Sequence, residues 1–215
     1  MTAKSPMSIL LYHRLTSYLH YLKSLPESGP DNVSSTVIAA ALGANDVQVR
    51  KDLAVVSNGG KPKIGYITKA LIADLAHYLG HDNCTDAVLA GAGNLGKALL
   101  SYENFEQYGL KIVAAFDANP ALVGTEQSGV KILDAAKITD MCRRMNIRVG
   151  ILAVPAFEAQ AVCDALVAGG VRAIWNFAPA NLRTPAGVIV KNEDMAASLA
   201  VLTRQLVENQ SGYEL

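Results

Sequence analysis

Gly91, Gly93 and Gly96, in the stretch "VLAGAGNLGKALL" from Val88 to Leu100, suit one task by type and spacing: they let a backbone approach a phosphate. The first glycine lets a strand turn sharply, the second brings the main chain close to a pyrophosphate, and the third lets the next helix pack against the sheet. Ala92, Asn94 and Leu95 complete this turn at the opening of a helix, where free N–H groups and a positive dipole end attract anions. Asp117 ends the next apolar run, 21 residues after Gly96, where a carboxylate can accept hydrogen bonds from ribose hydroxyls. It would also repel a 2′-phosphate, which favours NAD over NADP. CoA or another adenine nucleotide fits such a turn as well, and a glycine turn kept for packing alone is the plain alternative.

These residues need a strand before them and a helix after. From Asp86 onward, "AVLAG", "KIVAAFD", "RVGILAV", "AIWNFAP" and "VIVKN" are short runs rich in Val, Ile and Ala. Helical patterns lie between several of them: "LGKALLSYENF", "DAAKITDMCRRM" and "FEAQAVCDALVAGG". Apolar strands alternating with helices predict an α/β fold with a mostly parallel sheet covered on both faces, a Rossmann-type body over 85–192. The last segment, 193–215, contains "EDMAASLAVLTRQLVENQ", an amphipathic helix with Leu199, Leu202 and Leu206 on one face.

Hydride-transfer enzymes usually add an acid/base group and a substrate domain to such a body. All four histidines, His13, His20, His77 and His81, precede the glycine loop, and the 119 residues after Gly96 are taken up by the sheet and the last helix. No nucleophile–base pair or metal-ligand cluster stands out, so the nucleotide reads as sensed rather than consumed, and the chain as no enzyme.

The first eighty residues are helical in pattern. "SILLYHRLTSYLHYLKSL" places Leu11, Leu15, Tyr18, Leu22 and Leu25 on one face, and "PESGPDN" breaks it. "SSTVIAAALG" gives a short helix with a Ser cap, ending on Gly43, and "DVQVRKDLAVVS" a second one with Asp46 as its cap and Val49, Leu53 and Val56 facing inward. Two short helices joined by a glycine-bearing turn behind a longer one make a helix-turn-helix, at about 17–57. "NGGKPKIGY" resembles a wing carrying Lys61 and Lys63, "TKALIADLAHYLG" is a further helix, and "HDNCTD" is a polar linker, so a winged helix-turn-helix covers 1–80. Gln48, Arg50 and Lys51 then lie in the first turns of a recognition helix, within reach of major-groove base edges. Ser34, Ser35, Lys61 and Lys63 would contact phosphates and set register. The plain alternative for "VRKDL" is a solvated helix face.

Composition agrees with this division. Among 215 residues 51% are hydrophobic and 18% charged, and the net charge of zero argues against a general polyanion binder. Residues 1–80 nevertheless hold 8 Lys and Arg against 5 Asp and Glu, and residues 81–215 hold 11 against 14, a basic head before an acidic remainder. Cys84, Cys142 and Cys163 are odd in number and widely spaced, which suits buried free thiols. No apolar run reaches the roughly 20 residues of a membrane span, and the N-terminus lacks a secretory pattern, so the expected location is the cytoplasm, with no membrane partner.

Head and body together resemble the Rex family of bacterial redox-sensing transcriptional repressors over nearly the whole length. The resemblance rests on "VSSTVIAAALG" and "QVRKDL", on "GAGNLGKALLSYENFEQYGLKIVAAFDANPALVG", and on "NFAPANLRTPAGVIVKNEDMAASL". It implies a homodimer that binds operator double-stranded DNA through its winged helices when NADH is scarce and lets go when NADH binds, with NADH and NAD+ as sensed ligands. It also implies a C-terminal helix exchanged between subunits, and cofactor contacts from Val154, Pro155, Asn176, Phe177, Ala178 and Pro179. Asp194 of "EDM" matches the family's aspartate that changes partners between states, and Tyr102 of "LLSYENF" the tyrosine that meets it. Met195 stands where the family has an apolar residue closing on the cofactor.

Two departures stand out. His20 occupies the place of the family's arginine on the first helix, where a protonated histidine could take over part of its pairing with the aspartate. Ala54, Val55, Val56 and Ser57 replace the family's Ser-Tyr-Phe-Gly after the recognition helix, removing hydroxyl and aromatic groups expected at the DNA backbone. Two other readings stay open: a nucleotide- or CoA-dependent enzyme or subunit whose N-terminal helices serve assembly, and a nucleotide-sensing paralogue that has lost operator binding.

Overall fold

The computed structural model describes residues 8–26, 28–81 and 84–211, and the chain divides into two units, Met1–Asn83 and Cys84–Leu215. Residues 1–7 and 212–215 of the two outer segments, Glu27 of the break and Asp82 and Asn83 of the linker lie outside the described residues.

The first unit contains α1 (Ile9–Ser24), α2 (Ser35–Leu42), α3 (Asp46–Val56) and α4 (Thr68–Leu79), with β1 (Asn32–Val33) paired antiparallel to β2 (Tyr66–Ile67). Leu15, Tyr18, Leu19 and Leu22 of α1 are buried, at the spacing that puts one stripe of a helix inward, and they meet Ile38, Val49, Leu53, Leu71 and Leu75. Leu25 falls just past the end of α1 and Val56 is half-buried, so the inward faces are narrower than the pattern suggested. The Ser34 hydroxyl accepts the Val37 N–H at 3.2 Å and starts α2. The cap of α3 is Asn45 rather than Asp46: its side-chain oxygen accepts from Val47 N–H at 2.9 Å and Gln48 N–H at 3.2 Å. Both residue types cap well, and here the extended conformation falls one position earlier, leaving Asp46 as a first-turn carboxylate.

In the second unit a sheet of seven strands runs β5-β6-β4-β3-β7-β8-β9, where β3 is Thr85–Ala90, β4 Leu110–Asp117, β5 Glu126–Gln127, β6 Val130–Asp134, β7 Val149–Leu152, β8 Ala173–Asn176 and β9 Ile189–Asn192. All neighbouring pairs are parallel except β5 with β6. The parallel strands therefore follow the doubly wound order, with β3 central and the direction of winding reversing between β3 and β7. Alternation along β3 sends Val88 and Ala90 to one face and Leu89 to the other. On the first face α6 (Ile138–Arg144) and α7 (Ala156–Ala168) contribute Ile138, Cys142, Cys163 and Leu166, and on the second α5 (Asn94–Leu100) contributes Leu100.

Three expectations need correction. The helix after the glycine loop stops at Leu100, and a short 3-10 helix, Glu103–Tyr108, follows it. "VKILD" is β6, a strand absent from the sequence reading because it runs straight into the helical pattern of "DAAKITDMC". Cys142 and Cys163 are buried, but Cys84, just ahead of β3, is exposed. Burial pushes the Cys142 thiol up to about 11, which keeps it inert.

The last described element is α8 (Met195–Ser211). Met195, Leu199, Leu202 and Leu206 form an apolar stripe along it and stand about 60% exposed, at 63%, 60%, 61% and 58%. None of the described helices is long and apolar enough to cross a membrane.

Candidate functional site

The glycine loop joins β3 to α5 at the carboxyl end of the central strand, beside the reversal point, where ligands of doubly wound sheets bind. Gly91 has φ +95°, a conformation that glycine adopts freely, and a side chain there would strike the carbonyl of Ala153. A Cβ at residue 96 would overlap the Gly91 carbonyl, so the third glycine is required by the close passage of helix and turn. Gly93 differs: it is exposed, and a Cβ on it would meet nothing within 4 Å. The space above Gly93 is open.

Asp117 ends β4 and closes the loop from the side. One carboxylate oxygen accepts the Ala92 N–H at 2.7 Å and the other the Asn119 N–H at 2.8 Å. Gly91, Gly93, Asp117, Val154 and Pro155 line one hollow of about 270 Å³, together with Asn119 and Glu158. Asn94 is exposed at the start of α5, Leu95 half-buried and Ala92 fully buried.

On the α5 side a second hollow, of about 570 Å³, is aromatic: Tyr102, Phe105, Tyr108, Trp175 and Phe177 line it with Ala98 and Leu99. Trp175 packs against Phe177 at 4.6 Å between ring centres and against Phe105 at 5.7 Å, and its indole N–H donates to Glu193 at 3.0 Å. Asn176 is fully buried, and its side chain is spent on the turn that follows. It donates to Ala178 O, Ala180 O and Asn192 Oδ1, and it accepts the Ala178 N–H at 3.0 Å. It shapes the Phe177–Pro179 turn, in which Ala178 is buried and Pro179 exposed. Tyr102 is 49% exposed. Asp194 caps α8 by accepting the Ala197 N–H at 2.8 Å, and Met195 follows it.

In the first unit a hollow of about 500 Å³ is lined by Ser34, Ser35, Thr36, Arg50, Gly60, Lys61, Pro62, Lys63, Gly65 and Tyr66. Five sequence-predicted residues, Ser34, Ser35, Arg50, Lys61 and Lys63, thus surround one space. The wing is a tight turn: Lys61 pairs with Gly65, and Lys63 sits between them at φ +65°. Arg50 keeps an i,i+4 ion pair with Asp46 at 3.2 Å. Lys51 is exposed outside this hollow, and His20 is exposed on α1. Ser57, in place of the family's glycine, fits without strain at φ −135°, and its hydroxyl accepts the Gly59 N–H at 3.1 Å, anchoring the wing's entry.

Sequence reading missed Asp52. It is 4% exposed on α3 and accepts from Arg14 Nε at 2.6 Å, Arg14 NH2 at 2.9 Å, the Tyr18 hydroxyl at 2.9 Å and Gln48 Nε2 at 2.8 Å. Burial pushes this carboxyl up, but the hydrogen bonds from Arg14, Gln48 and Tyr18 outweigh it and hold the carboxyl below its ordinary value. Asp52 thereby ties the recognition-type helix α3 to α1. The available signal was the i,i+4 spacing of Arg14 and Tyr18 on the inward edge of α1, which places two donors toward the same neighbour.

The two units define a class: a winged-helix head carried on the same chain as a doubly wound dinucleotide-type body. Family models agree, one described as "CoA binding domain" matching residues 82–180 and one as "Putative DNA-binding protein N-terminus" matching 11–54. The redox-sensing transcriptional repressor Rex of Bacteroides fragilis is 40% identical, covering 92% of this chain and 90% of its own. That of Clostridium beijerinckii is 39% identical over 95% of this chain and 97% of its own. Among solved structures, RSP in complex with beta-NAD+ and operator DNA matches with a TM-score of 0.85 at 32% identity, covering 99% of this chain and 100% of that one. RSP in complex with beta-NADH matches with a TM-score of 0.82 at 33% identity over 96% and 97%. The chain belongs to the Rex family of redox-sensing transcriptional repressors, a family named for repression and not for an enzymatic activity.

Proposed function

We propose that this chain is a homodimeric repressor of the cytoplasm that senses the NADH/NAD+ balance, holding operator DNA when NADH is scarce and releasing it when NADH binds. One observation carries the reading. The same chain has a cationic hollow ringed by Ser34, Ser35, Arg50, Lys61 and Lys63 in its head, and a glycine cradle with Asp117 in its body. It matches RSP, solved with operator DNA and with NADH, along its full length.

In this reading the head residues grip phosphates while Gln48, Arg50 and Lys51 face the bases. Gly91 to Gly96 hold the pyrophosphate, Asp117 the adenosine ribose, and Val154 and Pro155 line the adenine side. Phe177 to Pro179, on the turn shaped by Asn176, lie toward the nicotinamide. Tyr102, Asp194 and Met195 belong to the switch, and the exposed stripe of α8 is the dimer contact, exchanged between subunits. NADH must bind the DNA-releasing arrangement of the dimer more tightly than the DNA-holding one, since a ligand with equal affinity for both shifts nothing.

The test is fluorescence anisotropy with a palindromic duplex library at fixed salt, with and without excess NADH. Specific binding that NADH abolishes and NAD+ largely spares is the expected result. NADH binding without any DNA binding would refute the repressor function and leave a nucleotide-binding paralogue.

A further inference from the structure

The root of α8 is fastened to the end of β8 by three hydrogen bonds. The Glu193 N–H donates to the Asn176 carbonyl at 2.8 Å, Asn176 Nδ2 donates to Asn192 Oδ1 at 2.9 Å, and the Trp175 indole N–H donates to Glu193 Oε1 at 3.0 Å. Asp194, the next residue, caps α8. The third bond differs from the other two because it reaches into the aromatic hollow. An indole has one polar hydrogen and no acceptor, so this bond fixes which edge of the ring faces Glu193. Trp175 is half-buried in a row of rings, 4.6 Å from Phe177 and 5.7 Å from Phe105, and Phe105 packs on Tyr102 at 4.8 Å. The same Glu193 oxygen also lies 3.8 Å from the exposed Lys191 amine.

One carboxylate therefore holds a ring of the hollow and stands two residues before the first residue of α8. A hydrogen bond to a charged acceptor is worth more than a long surface ion pair, so the indole, not Lys191, is the partner that matters. We infer that Glu193 is a positioning residue of the NADH response: it ties the Trp175 indole to the root of α8, so that a ligand seated against the aromatic row biases the helix that carries the exposed apolar stripe. This rests on the repressor reading above. Glu193 does not line the hollow; it acts through Trp175, which does. Coupling of this kind requires that the ligand meet the ring differently in the DNA-holding and DNA-releasing states, and the bond to Glu193 passes that difference to α8.

The experiment uses the full chain and the duplex that a palindromic library selects. Coupling is read as the ratio of the duplex Kd with saturating NADH to that without it. In Glu193→Ala the ratio should fall about fivefold or more, while NADH binding measured without DNA stays within about threefold. Glu193→Gln keeps an acceptor oxygen and should keep the ratio. Trp175→Phe keeps a ring and loses the N–H, so it should lose as much coupling as Glu193→Ala, and the double variant no more than either. Trp175 is the chain's one tryptophan, so its emission in the free protein should shift in Glu193→Ala and not in Glu193→Gln. An unchanged ratio in Glu193→Ala, an equal loss in Glu193→Gln, additive losses in the double variant, or emission indifferent to Glu193→Ala would each overturn this inference alone. If the unsubstituted protein retained no duplex, or NADH did not release it, the repressor reading would fall and this inference with it.

Discussion

Gly93→Ala separates binding from folding, because the structure assigns the three loop glycines different constraints. Gly93 has φ −68° and ψ −162°, a backbone that alanine adopts without strain, and the added methyl meets nothing within 4 Å. Stability should therefore hold or rise by about 0.4–1 kcal/mol, the usual gain from a stiffer unfolded chain. For a chain of this size that moves Tm by no more than about 4 °C. The same methyl stands in the space assigned to the pyrophosphate. Displacing a charged group from a backbone N–H forfeits about 1.5–3 kcal/mol, so NADH should bind about ten- to a hundredfold more weakly. NADH fluorescence titration reads the affinity and a thermal melt reads the fold. Gly96→Ala is the control that should fail differently: its methyl overlaps the Gly91 carbonyl, and the strain should cost about 2–3 kcal/mol of stability. A Gly93→Ala protein that binds NADH within twofold of the unsubstituted chain would refute the assignment of the cradle. One that loses its fold would refute the steric argument.

Asp52→Ala leaves Arg14 and the Tyr18 hydroxyl without their shared acceptor, and should destabilise the head by about 3 kcal/mol in chemical denaturation; a loss under 1 kcal/mol would show the contact to be idle. Because the folded Asp52 carboxyl lies below its ordinary value, its stabilisation is present above about pH 4 and fades as pH falls through the folded value, a dependence that Asp52→Asn should remove. Trp175 is the chain's one tryptophan and sits in the aromatic hollow, so NADH should quench its emission and gain sensitised emission of its own; unchanged emission at saturation would move the nicotinamide elsewhere. Lys61→Ala and Lys63→Ala should each weaken DNA binding equally for all sequences and reduce the slope of log K against log salt by about 0.9, and an unchanged slope would remove that lysine from the phosphate contacts. Leu202→Asp places a charge in the exposed stripe of α8 and should convert the dimer to monomer in sedimentation; a persisting dimer would exclude α8 as the interface.

The elements were legible where one physical rule acted alone. The buried stripe of α1 follows from residues at 15, 18, 19 and 22 recurring at helical spacing, and β3, β4, β7 and β8 from apolar runs that a doubly covered sheet requires. Failures came where two rules overlapped. The chain from Val130 to Arg144 carries a strand, a 3-10 turn and a helix without a glycine or proline between them, so "VKILD" dissolved into the helix that follows. At "ANDV" two good caps are adjacent, and only the backbone conformation chose Asn45.

The site was legible to a similar depth and for related reasons. Glycine spacing and a strand-terminal aspartate predict a loop in which each residue type is needed for itself, so the tight turn at Gly91, the close passage at Gly96 and the carboxylate beside the loop at Asp117 could be read one by one. Asn176 and Gln48 could not, because their roles depend on which partner claims the amide. Asn176, expected at the cofactor, directs its side chain to Ala178, Ala180 and Asn192. Gln48 looked like a free reader of bases and is held at one end by Asp52. Periodicity marks which face of α3 turns inward, but not that a carboxylate crosses to that face with two donors waiting on α1. The buried acceptor at residue 52 gives an otherwise ordinary helix side chain a fixed orientation.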